Sequence, residues 1–548
     1  MSRKVGNPRH SKGGANLQRT RLEQALAGGD IGLAAQIATS ILAAGQSDPL
    51  ILNLVAWQKE EAGDFAGAHA LLQRALLLSP GDVLILGSIG AVMRKQGFQE
   101  EALAVLDRVV AAEPRHAAAW LERGYVLDAL RLEHEAVSSY ERALAIDANL
   151  APAWGKLADS AARRGDAETS QTHAKRALAL DPHEPAATCA LAILAIERKD
   201  GVSAAALLEP LLNTQLSEDR TRALTLMGDA LDRQNRTEEA FASYENAQRS
   251  FRNANRAMLA PTEDRPSHRS FIERITEQVE SIGALPALIA RPPIPEAAAM
   301  HVFLLGYPRS GTTLIENVLA GAPNVVALEE RDTFVDVDAA LLSNDGTMPD
   351  LDALDPVLVD RLRAAYWDRV TQLGGAVDGK VLVDMNPFNG IKLPIIARLF
   401  PDARIVIMRR DPRDVILSCF RINFTPGAAA WAFSDLIETA RHYDALLTLI
   451  DRCMENLPLA YHDVRYSQLV TEFEPTVRAL AAFVGLEWTD SFLNFDRTAK
   501  ARGVRTASET QVRKGLYNGG GQWRRYASAL KPVQGILAPW VARFGSDT

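Results

Sequence analysis

The stretch HVFLLGYPRSGTT, residues 301–313, decides how the second half of this 548-residue chain is read. Val302 to Leu305 form a short apolar run whose length suits a buried strand of a parallel sheet. Gly306 and Gly311 bracket a tight turn, and Thr312 to Leu319 can continue as a helix. Strand, turn and helix start together make an anion site, because backbone N–H groups converge there and the helix dipole adds positive potential. A nucleotide-triphosphate loop requires GxxxxGK[ST], with the Lys on the β- and γ-phosphates. Thr312 stands at that Lys position, and Arg309 is the only cation in the loop. The charge therefore meets a ligand from a different side. The hydroxyls of Ser310, Thr312 and Thr313 suit a tetrahedral oxyanion and equally suit plain helix caps.

Around this stretch, apolar runs alternate with helical segments, which implies a parallel sheet covered by helices on both faces. The expected strands are 302–306, 325–328, 381–384, 404–409 and 459–464. Helices are expected near 312–320, 351–373, 390–399, 413–420, 430–455 and 472–485. In the run RIVIMRRDPRDVILSCF (404–420), the strand delivers Arg410 at its carboxyl end, where open α/β sheets hold ligands. Asp411 can cap the next helix with Pro412 in the first position, and Arg409 and Arg413 are expected to pair with Asp411 and Asp414.

Upstream, the chain keeps a period. Pro80, Pro114 and Pro182 lie on a 34-residue grid with Ala148 at the remaining point, and Arg74, Arg108, Arg142 and Arg176 keep the same spacing. Ala68, Ala102 and Ala136, the glycines Gly63, Gly97 and Gly165, and the pair Trp120 and Trp154 follow it as well. This is the tetratricopeptide pattern, in which each helix pair buries its apolar face only by stacking on its neighbours. Four units lie between about 48 and 184, with degenerate ones flanking them. The expected organisation is a disordered basic leader (1–15), a helical array (16–256), a docking helix with a Pro-rich linker (257–300) and an α/β domain (301–548).

The formal net charge of −8, with 23% charged residues, argues against a general nucleic-acid binder. A local excess remains between Arg497 and Lys531, where nine Lys or Arg (497, 500, 502, 505, 513, 514, 524, 525, 531) face one acid, Glu509. That segment reads either as a solvated tail or as a cover folding over an anionic ligand. Cys189, Cys419 and Cys453 are too far apart for a disulfide framework or a metal site and suit a reducing compartment. With no apolar run long enough for a membrane span and no apolar segment after the basic N-terminus, a cytoplasmic protein is expected.

GYPRSGTTLIE, NVVALEERDTF and RIVIMRRDPRDVILSCF together resemble the sulfotransferase family that uses 3′-phosphoadenosine 5′-phosphosulfate (PAPS). The branch most similar is the tyrosylprotein-sulfotransferase-like group whose bacterial members carry tetratricopeptide repeats. The resemblance covers roughly residues 300 to 535, with the repeats resembling their own family separately. It implies an α + α/β architecture, an N-terminal α-solenoid followed by a P-loop-like sulfotransferase domain. It also implies that Arg309, Ser310, Gly311, Thr312 and Thr313 hold the 5′-phosphosulfate and that Arg410 and Ser418 hold the 3′-phosphate. Tyr466, in VRYSQLV, and Ser508, in TASETQVRKGLYNGGGQWRRY, match further cofactor contacts, and glycines 519–521 suit a lid. Glu330 aligns with the catalytic base, with Glu329 as the alternative.

Two positions depart from the family pattern. Met385 stands where the family has a Lys that steadies the bridging oxygen, and Gln522 precedes Trp523 where a basic residue is expected. Lys392, or a C-terminal basic residue, is the expected substitute at the first, and Arg524 or Arg525 at the second. The reading is therefore a PAPS-dependent sulfotransferase acting on a hydroxyl, with no metal. A protein or peptide tyrosine held by the repeats is the leading acceptor, and a carbohydrate or small-molecule hydroxyl the other. A kinase-like P-loop transferase and a non-catalytic repeat adaptor with a relic enzyme fold are the alternative classes.

Overall fold

The computed structural model describes residues 9–213, 218–283, 294, 296–502, 516 and 519–545. It resolves into two compact units, Met1–Leu191 and Ala192–Thr548.

The first unit is a series of antiparallel helix pairs. The four grid units are Pro49–Glu61 with Phe65–Leu78, Val83–Lys95 with Gln99–Ala112, Ala117–Ala129 with Glu133–Ile146, and Ala151–Arg163 with Ala167–Leu180. The grid positions have separate physical jobs. Ala68, Ala102 and Ala136 are fully buried where helices cross, and Gly63, Gly97 and Gly165 turn the chain at φ of 77°, 88° and 78°. Trp120 and Trp154 each donate their indole N–H, at 3.0 Å, to the carbonyl of the preceding inter-helix grid point, Pro114 and Ala148. The first helix, Arg9–Ala27, begins earlier than residue 16, inside the stretch expected to be a disordered leader.

The second unit is built on a five-stranded parallel sheet: β1 (Met300–Gly306), β2 (Val325–Glu329), β3 (Val381–Met385), β4 (Arg404–Arg409) and β5 (Ala460–Arg465), in the order β2-β3-β1-β4-β5. Alternate residues supply two apolar layers, as the period of a strand dictates. Phe303, Leu305, Leu382, Ile405 and Ile407 face one layer, and Val302, Leu304, Val383, Val406 and Met408 face the other. All strands point the same way, so the loops after β1, β2, β3 and β4 share one edge.

The unit boundary falls inside the helix Pro185–Glu197, well before the Pro-rich stretch near 285–300 where composition put the domain boundary. The reason is packing. Leu231, Phe241 and Tyr244, from the hairpin Glu218–Arg233 and Thr237–Leu259, belong to the same apolar layer as β1 and β4. The docking helix, His268–Ile282, joins that layer through Ile272, Ile275 and Val279. The helix expected over 430–455 is two, Ala428–Phe433 and Leu436–Asn456, because Asp435 caps the second by accepting the N–H of Glu438 at 2.9 Å. Helices at Val335–Leu341, Phe495–Arg502 and Gln534–Phe544 lie outside the expected set.

Candidate active site

The loop after β1 is held in an unusual backbone shape. Arg309 has φ 71° and Gly311 φ 111°, both left-handed, while the N–H of Ser310 bonds back to the carbonyl of Tyr307 at 3.0 Å. The turn has no room for side chains at its glycines. A Cβ on Gly306 would lie 2.7 Å from Ser310 Oγ, and one on Gly311 would lie 3.0 Å from the Tyr466 ring. Beneath the loop, Tyr307 Oη is 2.9 Å from His442 Nδ1, whose Nε2 is 2.7 Å from His268 Nδ1. Burial pushes His268 down to about 4 and His442 well below its ordinary value, so both rings stay neutral near pH 7.

The helix Pro412–Phe420 brings the second set of residues to this loop. Asp411 caps it by accepting the N–H of Arg413 at 3.0 Å. Arg309 Nε donates to Ser418 Oγ at 3.0 Å, and Arg410 donates to the carbonyl of Arg309 at 3.0 Å and to that of Gly519 at 2.7 Å. The Arg410 guanidinium also lies 4.5 Å over the Tyr466 ring. Arg309, Gly311, Arg410, Ser418 and Tyr466 thus meet in one cluster, and Ser310, Thr312 and Thr313 are buried in the same loop. Ser508 lies outside the described residues.

Among the described residues, two polar atoms here, Ser310 Oγ and Arg410 Nε, are buried without a hydrogen-bond partner. Such atoms are rare unless a ligand or water completes them. Beside Arg410 opens a hollow of about 430 Å³ lined by Arg465, Tyr466, Ser467, Thr471 and Gly520. Two arginines, a buried hydroxyl and a helix N-terminus fit a ligand that carries more than one tetrahedral oxyanion.

The expected pairing of Arg413 with Asp411 is present at 2.6 Å. The other two charges behave differently. Arg409, almost fully buried, pairs with Asp451 at 3.3 Å and Asp463 at 3.1 Å, since a strand alternates its side chains and sends this one away from Arg410. Asp414 instead accepts the N–H groups of Gly521 and Trp523 at 2.7 and 2.9 Å, which fastens the glycine segment to this helix. Burial raises the Asp414 carboxyl, with Arg410 opposing the shift.

Glu330 follows β2 directly. Its φ of 46° is left-handed, and its N–H donates to the carbonyl of Met385 at 2.8 Å. Its side chain is exposed, whereas Glu329 is buried. A third carboxylate, absent from the sequence reading, stands beside them. Glu316, fully buried on the helix Thr312–Leu319, pairs with Arg502 at 3.3 Å. Burial pushes it up to about 8, Arg502 opposes the shift, and Glu329 and Glu330 add to it. A glutamate inside the apolar run LIENVL was the available signal.

Met385 is fully buried in the apolar layer that also holds Leu314, Met408 and Tyr466. The proposed substitute, Lys392, is engaged elsewhere, 2.6 Å from Asp338 and over the Phe334 ring. Arg525 pairs with Asp232 at 3.0 Å, and Arg524 lies over Trp523. Asp384, the neighbour of Met385, is buried and accepts from Thr333 Oγ1 at 2.7 Å and Tyr366 Oη at 2.8 Å, with its carboxyl pushed up to about 6 by burial.

Residues 301–490 match the model of the sulfotransferase family, and residues 60–123, 117–150 and 156–218 match tetratricopeptide-repeat models. An uncharacterized protein of Aquifex aeolicus is 31% identical over 247 residues, covering 43% of this chain and 32% of that protein. Protein-tyrosine sulfotransferase 1 of Danio rerio is 26% identical over 260 residues, covering 45% of this chain and 72% of the relative. A solved tetratricopeptide repeat protein from Parabacteroides merdae is 18% identical, covering 45% of this chain and 94% of its own, at a TM-score of 0.32. Among the described residues no helix is long and apolar enough to cross a membrane. The chain thus joins a region that matches tetratricopeptide-repeat models to an α/β domain whose residues 301–490 match the sulfotransferase family model.

Proposed function

We propose that the chain is a PAPS-dependent sulfotransferase that moves a sulfuryl group to a hydroxyl, with a protein or peptide tyrosine as acceptor. The observation that carries the reading is the junction of Arg309, Ser418 and Arg410, with no Lys at the Thr312 position. It supports a ligand with a phosphosulfate at the loop and a second phosphate at Ser418 and Arg410, the feature that separates PAPS from ADP or ATP. The relatives named protein-tyrosine sulfotransferase favour the tyrosine acceptor. A stacked repeat array offers the concave surface that an acceptor segment needs.

In this reading Glu330 takes the proton of the acceptor hydroxyl, which matters because a phenol of pKa about 10 is only about 0.1% ionised at pH 7. The acceptor oxygen bonds to sulfur as the bond from sulfur to the bridging oxygen breaks, and that electron pair leaves on the 5′-phosphate. Arg309, Ser310 and the N–H groups of the first helical turn hold the charge of the departing phosphate, a preorganised contribution of about 3–4 kcal/mol for each well-placed donor. Thr312 and Thr313 orient the sulfate end, and Tyr466 and Ser508 are further cofactor contacts in this reading. No step needs a metal. Three buried thiols outside any disulfide suit a reducing compartment, which supports a cytoplasmic location.

The test is calorimetric affinity for 3′-phosphoadenosine 5′-phosphate and for ADP, in wild type and Arg410→Ala. Tight binding of the 3′-phosphorylated ligand alone, lost in the variant, is the expected result; equal or absent binding overturns the reading. The burial of Met385 and the engagement of Lys392 favour a second reading, a repeat adaptor that retains only ligand binding. Intact binding with no sulfate transfer to tyrosine peptides, sugars or phenols would select it.

A further inference from the structure

The helix that carries Ser418 is gripped at its far end by the helical hairpin that precedes the α/β domain. Gln248, 5% exposed, donates its Nε2 to the carbonyl of Phe420 at 2.7 Å and to that of Ile422 at 3.2 Å. The last carbonyls of a helix have no donor within the helix, so a buried helix end needs such a partner. Arg421, the next residue, enters a cage on the same hairpin: Asp229 at 3.1 Å, Asp232 at 3.5 Å and the Tyr244 ring at 4.9 Å. Tyr244 Oη donates to Asp229 at 2.7 Å, and Tyr526 Oη bonds to Asp232. Phe241 of the hairpin stacks on Phe420 with ring centroids 5.4 Å apart. Ser418 lies about one helical turn from Arg421.

We propose that this hairpin, although repeat-like in sequence, is a working part of the cofactor site, with Gln248 and Arg421 as positioning residues that set where Ser418 stands against Arg309. The helix Pro412–Phe420 is short, and its start is already tied down by Asp411 and by the bonds from Asp414 to the glycine segment. With the start fixed, the direction in which the helix leaves it is decided by what holds its end. Release of that end lets Ser418 withdraw from Arg309 Nε, now 3.0 Å away, and loosens the phosphate subsite that the two share. Neither Gln248 nor Arg421 touches the ligand; both act through Ser418. The inference rests on the assignment of Ser418 to the 3′-phosphate of PAPS.

The test uses the full chain and calorimetry with 3′-phosphoadenosine 5′-phosphate and with ADP. Gln248→Leu keeps the size of the side chain and removes the donor. The expected result is a loss of about tenfold in affinity for the 3′-phosphorylated ligand and little change for ADP, with a modestly lower thermal midpoint because the carbonyls of Phe420 and Ile422 lose their donor. In a Ser418→Ala background the same substitution should cost almost nothing, since its effect passes through the serine. Arg421→Met should show the same pattern, and if that variant fails to fold, Gln248→Leu alone decides. A loss within twofold, or an equal loss with and without Ser418, overturns the inference while leaving the cofactor assignment standing. A wild-type chain with no preference for the 3′-phosphate overturns the cofactor assignment and the inference with it.

Discussion

The N–H of Glu330 donates to the carbonyl of Met385 at 2.8 Å, and this bond joins the loop after β2 to the end of β3 while Glu330 sits at a φ of 46°. A non-glycine residue in the left-handed region costs on the order of 1 kcal/mol or more and persists only where its surroundings impose it. Glu330→Gly should therefore raise stability by about 1 kcal/mol and abolish sulfate transfer. Glu330→Gln should lower turnover at least a hundredfold with affinity for 3′-phosphoadenosine 5′-phosphate unchanged. Thermal melts beside a transfer assay check both; a glycine variant that remains active removes Glu330 as the base.

Gly311 is constrained twice, by its φ of 111° and by the Tyr466 ring and Met408 Cε, which a Cβ would meet at 3.0 and 3.1 Å. Gly311→Ala should cost about 1–3 kcal/mol and weaken the nucleotide by tenfold or more. Denaturant melts and calorimetry measure the two effects. An alanine variant with wild-type affinity would show that the loop does not need this shape to bind.

Met385 fills space in a closed apolar layer, so Met385→Ala should cost about 2–5 kcal/mol through lost burial and the cavity left behind. Met385→Leu should be nearly neutral in both stability and nucleotide affinity. A large loss of turnover in the leucine variant at full stability would instead give the thioether a part in the chemistry.

Acid should remove the stability that buried neutral histidines give the second unit. Burial holds His268 at about 4, His301 at about 3 and His442 well below 6.5. In the unfolded chain each returns to about 6.5 and takes up a proton below that pH. The folded state is thus favoured above about pH 6.5, and this share of stability is lost as pH falls from 6.5 toward 4. Glu316 and Asp384, raised to about 8 and about 6, act with the opposite sign, so the check is a difference between proteins: from pH 7 to pH 5 the thermal midpoint of His268→Gln should change less in the destabilising direction than that of wild type. Identical pH profiles for the two would contradict a neutral, buried His268 ring.

Local features were readable from the chain and distant pairings were not. The run RIVIMR became the strand Arg404–Arg409 with the expected bounds, because apolar residues flanked by a turn sequence leave few other structures. The loop residues 309–313 and the Asp411 cap were readable for the same reason, being set by neighbours within a few residues. Proximity in sequence offers Arg409 the carboxylates of Asp411 and Asp414, yet its partners lie on β5 and on the helix before it. Glu316 and Arg502 stand 186 residues apart. Gln248 and Phe420 stand 172 apart, a relationship no local spacing encodes. The 34-residue grid announced repeats correctly and concealed that the last hairpin shares the apolar layer of the α/β domain.

The cage around Arg421 bears on how this chain can be cut and rejoined. A fragment begun at residue 257 or 300, where composition suggests a clean join, would expose Phe420 and leave the Arg421 cation without Asp229, Asp232 and Tyr244. The natural unit of exchange is Ala192–Thr548. New repeats can be grafted ahead of that unit, but the helices from Glu218 to Leu259 must travel with the α/β domain, as the hilt travels with the blade.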